Sequence, residues 1–454
     1  MLTPKQLQTV KQQLAVAGAA NGGAELDPQL QQLLLKHFML HVGADVCLAD
    51  FVVTVKNAAY QALFSGKFEN HHKGFEQFLA KLMELNEDNI YQVKVAIECT
   101  GPYHLSLVRF LQEKGIDVYL YNGQTAKHLA KAYLKEKKTD TLDADILANL
   151  LIDGKFPTSA TQRDNPFIEI RSYSRRSGRL AEQIACAKTR LKDELAQASS
   201  GMLHVFRKQS VFNKAPMQLM KLYPLPEDRR HVGVEEIAKV LTEQSGNKYG
   251  TIEAQKLLSF DAQNQGDPRL SDYFRRSIRD YISEIQYFQT KKEEYLNTIQ
   301  EQTQELKPAQ NLLSIKGCGI VLMAIVLSEI GDISRFADPK KFVGFAGLAP
   351  IEHESGPYKG EKHLKKGGVT RLSYACYMIA NCARRYDERL MGLYHRVKQR
   401  HITAGKPKGV AHIIANCAVA REVACLIYSI LAEERPYFLS KADYLAYRAK
   451  KKSA

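Results

Sequence analysis

Four carboxylates occupy positions from which they could act on a phosphate. Asp45 ends a run of alternating residues, His37 to Asp45 (HFMLHVGAD). Glu98 ends a second run, Tyr91 to Glu98 (YQVKVAIE), and is followed closely by Thr100-Gly101. Asp140 and Asp143 stand three apart at the start of a helical stretch, so both point to one face. Two carboxylates about 5 Å apart repel by roughly 3 kcal/mol at an effective dielectric near 20, so four together need a cation. Hard oxygen donors select Mg²⁺ or Mn²⁺. Two such ions about 3.5–4 Å apart would stabilise both oxygens of an in-line phosphoryl transfer. The same residues also have plainer roles: Asp140 as a helix N-cap, Asp143 as a favourable first-turn charge, the other two as ordinary strand-end acids.

A second candidate is Ser355, within the glycine-rich segment GLAPIEHESGPYKGEKHLKKGG. Lys359, Lys362, His363, Lys365 and Lys366 follow it and would surround a phosphodiester with positive charge. Serine is a weak nucleophile until a base or a metal activates it, and a plain Ser-Gly turn is the alternative. Other chemistries find little support. The eight cysteines are scattered, with no CxxC pair or zinc spacing, and read as reduced core thiols. The thirteen histidines form no HExxH, and His71-His72 reads as a surface pair. No GxGxxG or Walker A pattern is present.

The elements that must position the acids follow from periodicity. Strands are expected at 37–45, 51–56, 61–68, 91–98 and 117–121. Helices are expected at 73–85, 103–114, 124–135 and 141–152. Three antiparallel strands followed by alternating helices and strands is the α/β order of an RNase H-like domain, here residues 37–155. Residues 1–36 read as a polar helical extension. Residues 156–307 read as a long helical coiled-coil hairpin, its two arms near 167–220 and 270–307. A Pro- and Gly-containing insertion of about 222–270 forms its tip. Residues 308–435 read as a mostly α-helical domain and 436–454 as a basic tail. Gly317 and Gly319, between a short helix and an apolar one, resemble a helix-hairpin-helix whose backbone N–H groups hold a phosphate. A connection that only packs is the other possibility.

Charge points to the partner. The net charge is +15, but residues 1–150 carry 15 Lys/Arg against 16 Asp/Glu, and residues 151–454 carry 49 against 33. Within 171–192, Arg171, Arg175, Arg176, Arg179, Lys188, Arg190 and Lys192 stand against Glu182 alone. A basic body behind a neutral, acid-bearing front fits a nucleic-acid binder with a separate acidic site. A solvated basic face is the plainer reading. No run of 18 apolar residues appears, and the glutamine-rich start lacks a signal-peptide core, so a soluble, intracellular protein is expected.

The motifs together resemble the DEDD-type transposases of insertion sequences related to the Piv DNA invertase, some of them bridge-RNA-guided recombinases. The resemblance lies in Val42-Gly43-Ala44-Asp45-Val46, Ile97-Glu98-Cys99-Thr100-Gly101-Pro102-Tyr103 and Lys138-Thr139-Asp140-Thr141-Leu142-Asp143-Ala144. It continues in Ile315-Lys316-Gly317-Cys318-Gly319, Phe342 to Pro350 (FVGFAGLAP) and Glu354-Ser355-Gly356. The family's lysine-glycine element before a Leu-Arg pair appears as Lys365 to Leu372, with the arginine displaced. The resemblance implies a RuvC-like first domain in which Asp45, Glu98, Asp140 and Asp143 hold Mg²⁺ or Mn²⁺. It implies that Ser355 attacks a DNA phosphate to form a covalent phosphoserine link, reversed later by a strand hydroxyl. Element-end and target DNA would be the partners, with a guide RNA open as another, in a bacterial cytoplasmic dimer or tetramer. A RuvC-like metal nuclease or junction resolvase using water as nucleophile is the competing reading, and a non-catalytic binder with a decayed site is a third.

Overall fold

Alternating burial drives the first sheet. In the computed structural model the described residues are 39–86, 92–99, 101–122, 140–155, 165–207, 210–263, 266–351, 354–355, 358–359, 363–364 and 367–453. The expected helices within 1–36 and at 124–135 lie outside them. The chain divides into two compact units, Met1–Arg163 and Asp164–Ala454.

The first unit holds strands β1 (Met39–Val46), β2 (Asp50–Lys56) and β3 (Ala62–Glu69), helix α1 (His72–Leu85), strand β4 (Gln92–Cys99), helix α2 (Leu105–Glu113), strand β5 (Asp117–Asn122) and helix α3 (Asp140–Ile152). The sheet order is β3-β2-β1-β4-β5. Strand β2 pairs antiparallel with β1 and β3, and β4 runs parallel to β1 and β5. This five-stranded mixed sheet is compatible with an RNase H-like domain. Leu40, Val42, Ala44, Val53, Val55, Val95 and Ile97 share one core with Phe75, Phe78, Leu107 and Leu111 of α1 and α2. Each such large side chain contributes about 1.5–3 kcal/mol on burial. Ala96 of β4 and Tyr121 of β5 instead pack with Ile146, Leu147 and Leu150 of α3.

The second unit is almost wholly helical. Its stem is a pair of long helices, α4 (Ile168–Ala198) and, after the tip, α9 (Ser271–Thr303). They run antiparallel: the Tyr173 and Tyr295 rings meet at 5.7 Å near one end, and Tyr273 and Ser277 donate to Glu194 at 3.0 Å near the other. The tip, expected as a small insertion, is built of helices α5 (Ser200–Val205), α6 (Lys214–Leu222), α7 (Pro226–Ser245) and α8 (Thr251–Gln263). Beyond the stem come α10 (Lys307–Leu313), α11 (Ile320–Ile330), α12 (Pro339–Phe345), strands β6 (Pro350–Ile351), β7 (Glu354–Ser355), β8 (Tyr358–Lys359) and β9 (His363–Leu364), and helices α13 (Thr370–Ala383), α14 (Glu388–Thr403), α15 (Lys408–Ala432) and α16 (Lys441–Ser453). Helix α15 is long and apolar enough to cross a membrane by composition. Its Ala415, Val419, Val423 and Ile427 are wholly buried among α11 and α13 residues, so it is the core helix of this unit.

Candidate active site

Asp45 and Glu98 occupy adjacent strands in matching register. Ala44 pairs with Ile97 in the parallel β1–β4 ladder, so the next pair along is Asp45 and Glu98. Paired residues of parallel strands point to one face of the sheet, and here that face is the one α3 covers. Both side chains are half-buried.

Helix α3 is drawn onto this face by what the sheet lacks. A Cβ on Gly43 would meet the Ala144 carbonyl oxygen at 1.8 Å and the Ala148 nitrogen at 2.7 Å. The glycine therefore lets the helix backbone lie against β1. On β2, the buried Lys56 ammonium reaches Asp145 at 2.5 Å and Asn149 at 2.8 Å, which anchors the following turn. Lys56 stands opposite His41 and Asp145 follows Ala144, so α3 runs back over β1 with its N-terminus toward the Asp45 end. Electrostatics agree. The Cys47 thiol is pushed up by desolvation, then by the negative charges of Asp45, Asp140 and Asp50. Asp140 thus lies within electrostatic reach of the end of β1, exposed in the first turn of α3, and the half-buried Asp143 follows one turn on. The helix macrodipole favours both acids there. Asp140 is itself helical, in the described first turn of α3.

Asn70 was not singled out from sequence, yet it fastens this edge. Its amide donates to the Cys47 carbonyl at 2.7 Å and to the Tyr103 carbonyl at 3.1 Å. It thereby joins the loop after β1 to the turn after Glu98. Thr100 of that turn lies outside the described residues. The four acids themselves offer only oxygen, which suits a hard cation. Among the described residues, no three His, Cys, Asp or Glu side chains already stand close enough to hold a metal ion. What the described residues share here is backbone register, for Asp45 and Glu98, and helix placement, for Asp140.

In the second unit, Ser355 belongs to a short ladder rather than an irregular loop. Strand β7 pairs antiparallel with β8, Ser355 opposite Tyr358, and β6 pairs with β9, Ile351 opposite His363. The segment is rooted by glycines: a Cβ on Gly347 would meet the Gly367 oxygen at 2.7 Å, and one on Gly368 the Gly347 nitrogen at 2.6 Å. Lys359 lies in β8, and Lys362, Lys365 and Lys366 lie outside the described residues. Gly317, at φ +93°, abuts the Cys382 side chain, where a Cβ would stand 2.3 Å from Cβ of Cys382. Gly319 faces open space and precedes α11 without a side-chain cap.

The four arginines of α4 divide. Arg171 and Arg175 are engaged by the buried Glu329 of α11, at 3.1 and 2.9 Å, whereas Arg176 and Arg179 are exposed. Arg371, the displaced arginine of the lysine-glycine element, donates to Ser174 Oγ and its carbonyl at 3.0 Å. Gly178 leaves it room, since a Cβ there would stand 2.8 Å from the guanidinium.

Comparison with known proteins matches both units. Residues 42–199 match a DEDD-type transposase model, and residues 309–395 match the transposase IS116/IS110/IS902 family, together more than half of the chain. The chain is 26% identical over 399 residues to an uncharacterized 42 kDa protein of insertion element IS900 from Mycobacterium paratuberculosis, covering 87% of this chain and 96% of the relative. It is 22% identical over 405 residues to an uncharacterized 44.8 kDa protein of IS116 from Streptomyces clavuligerus, covering 88% and 96%. A mini-circle putative transposase for IS117 from Streptomyces coelicolor is 23% identical over 350 residues, covering 72% and 82%. The chain belongs to the DEDD-type IS110/IS116 family of transposases, enzymes that cleave and rejoin DNA.

Proposed function

We propose that this transposase is a site-specific recombinase of a mobile insertion sequence, acting through metal-dependent chemistry and a serine–DNA covalent intermediate. In this reading its first unit is RuvC-like, its stem a coiled coil, and the Ile315 to Gly319 connection a helix-hairpin-helix. The observation that carries the reading is the matched register of Asp45 and Glu98 under the N-terminal turn of α3.

Asp45, Glu98, Asp140 and Asp143 would hold Mg²⁺ or Mn²⁺ by hard oxygen donation. A bound ion of this kind supplies positive charge to the phosphoryl and leaving oxygens. Ser355 Oγ attacks phosphorus: the serine O–P bond forms, the strand's P–O bond breaks, and the hydroxyl proton leaves to the departing strand oxygen. A hydroxyl of the second strand then attacks the phosphoserine, and Ser355 regains its proton. The phosphodiester energy is kept through both steps, so no nucleotide hydrolysis enters. Element ends and target DNA are the substrates. A guide RNA, a homo-oligomer and a cytoplasmic, nucleoid-associated site of action belong to the same reading.

The test is a denaturing gel of the protein with labelled element-end DNA and Mg²⁺. A protein–DNA adduct is expected from the native chain and is lost in Ser355→Ala. Cleavage without adduct, retained in Ser355→Ala, would replace the serine pathway with hydrolysis by water.

A further inference from the structure

The side-chain cluster around Glu329 is overbuilt for its buried charge. Glu329 is 1% exposed at its side chain, and its two oxygens receive Arg175 at 3.0 and 2.9 Å and Arg171 at 3.2 Å. Arg371 adds a third guanidinium, its Nε 3.4 Å from Glu329 Oε1. One carboxylate is saturated by two arginines. The third is surplus, and its Nε is buried without a hydrogen-bond partner. A fourth, Arg335, lies over the Phe336 and Phe345 rings at 4.7 and 4.5 Å and is exposed. Among the described residues it makes no ion pair.

Among the described residues, the charges nearby leave a positive excess. Arg335 feels Arg171 and Asp332, and Arg371 feels Glu329, Arg175, Glu182 and Arg171. Four guanidiniums thus face three carboxylates among the described residues. The exposed Arg176 and Arg179 adjoin them on α4. Burial pushes the half-buried Arg371 guanidinium down from its usual value, as expected where positive charge is crowded and partly desolvated. Burial opposes the Glu329 charge, yet hydrogen bonding from Arg175 and the arginine charges hold its carboxyl below its usual range.

The cluster also shares residues with the root of the serine-bearing segment. The Val369 amide donates to the Phe345 carbonyl at 2.9 Å, Arg335 lies on the Phe345 ring, and Arg371 follows Val369 by two residues. Gly347 and Gly368, which close the segment, lie between them in the chain. We infer that Arg171, Arg175 and Arg371, oriented by Glu329, together with Arg335, held on the Phe336 and Phe345 rings, form a seat for a backbone phosphate of duplex DNA beside the root of the Ser355 segment. This rests on the proposal that Ser355 meets DNA. Planar guanidiniums with outward N–H groups suit a phosphate, and a seat at the root of the segment would set the register of the strand that Ser355 meets.

The test uses the full chain bearing Ser355→Ala, without Mg²⁺, so that cleavage plays no part. The probe is a labelled 30-bp duplex titrated from low to moderate KCl. Each phosphate contact contributes about −0.9 to the slope of log K against log salt. Arg335→Gln leaves every contact of Glu329 in place and, in a chain with an unchanged thermal melt, is expected to reduce the slope by about one. Arg371→Lys keeps the charge but loses the fork, and is expected to weaken binding at every salt concentration with the slope kept. An unchanged slope in Arg335→Gln overturns the seat while leaving the serine proposal intact. A loss seen with a structured RNA of equal charge but not with the duplex overturns the assignment to DNA. No duplex binding by the parent chain would instead count against the recombinase proposal itself.

Discussion

A Cβ at Gly43 would stand 1.8 Å from the Ala144 carbonyl oxygen, so one missing methyl decides how closely α3 approaches the sheet. Two strand positions earlier, on the same face, His41 is 5% exposed, with its Nδ1 lacking a hydrogen-bond partner. Burial, then the Lys94 charge, lowers its pKa to about 4. Its cross-strand neighbour Lys56 is paired to Asp145. Between pH 6.5 and about 4 the unfolded chain binds a proton that the folded chain refuses. Stability therefore falls as pH drops through that window, by at most about 3 kcal/mol. Hydrogen-exchange protection of the β1 and β4 amides, read at pH 7, 5.5 and 4.5, is expected to fall in the native chain. In His41→Gln it should fall less, and parallel losses in both would exclude His41 as the cause.

Among the elements, the tip helices depend on one buried arginine. Arg229 is fully buried and donates to both oxygens of Asp261 at 2.7 and 2.9 Å, to the Tyr223 and Pro224 carbonyls at 3.0 Å and to Ser199 Oγ at 2.7 Å. It thereby ties the end of α4 to α6, α7 and α8. Removing one partner of such a pair leaves a buried charge and costs about 3–5 kcal/mol. Arg229→Met is expected to open the tip to limited proteolysis between residues 210 and 263, and adding Asp261→Leu should restore much of the protection. Equal protection in all three chains would refute this. Nothing in the sequence marked Arg229 as different from any other basic residue, because burial is a property of the packed helices around it. By contrast the strands were legible. Alternation placed β1 at 37–45 and β4 at 91–98, within one or two residues of Met39–Val46 and Gln92–Cys99, because period 2 reports directly which face is buried. The helicity of the tip was not legible. Its prolines sit where helices start, as at Pro226, and there they begin elements rather than interrupt them.

For the whole molecule, the sequence pointed to the acids by motif and strand end, and gave no sign of the carboxylate that the arginines of α4 meet. Arg171 and Arg175 read as a phosphate-tracking face; their contact with Glu329, more than 150 residues away in the chain, is invisible to any local pattern. A longer distance in sequence, more than 200 residues from Asp143 to Ser355, separates the chemistry itself. The four acids belong to the first compact unit and Ser355 to the second, beyond a stem whose helices of 31 and 33 residues are each roughly 50 Å long at 1.5 Å per residue. In the proposed recombinase, Ser355 of one subunit acts with the acids of another, so that neither half-site cuts DNA before assembly. Mixing a Ser355→Ala chain with an Asp45→Ala chain then restores part of the cleavage that each lacks alone, because some sites in mixed oligomers combine an intact serine with intact acids. If cleavage stays absent where mixed oligomers are demonstrably present, each chain uses its own serine with its own acids. The Ser355→Ala adduct assay would still decide the nucleophile.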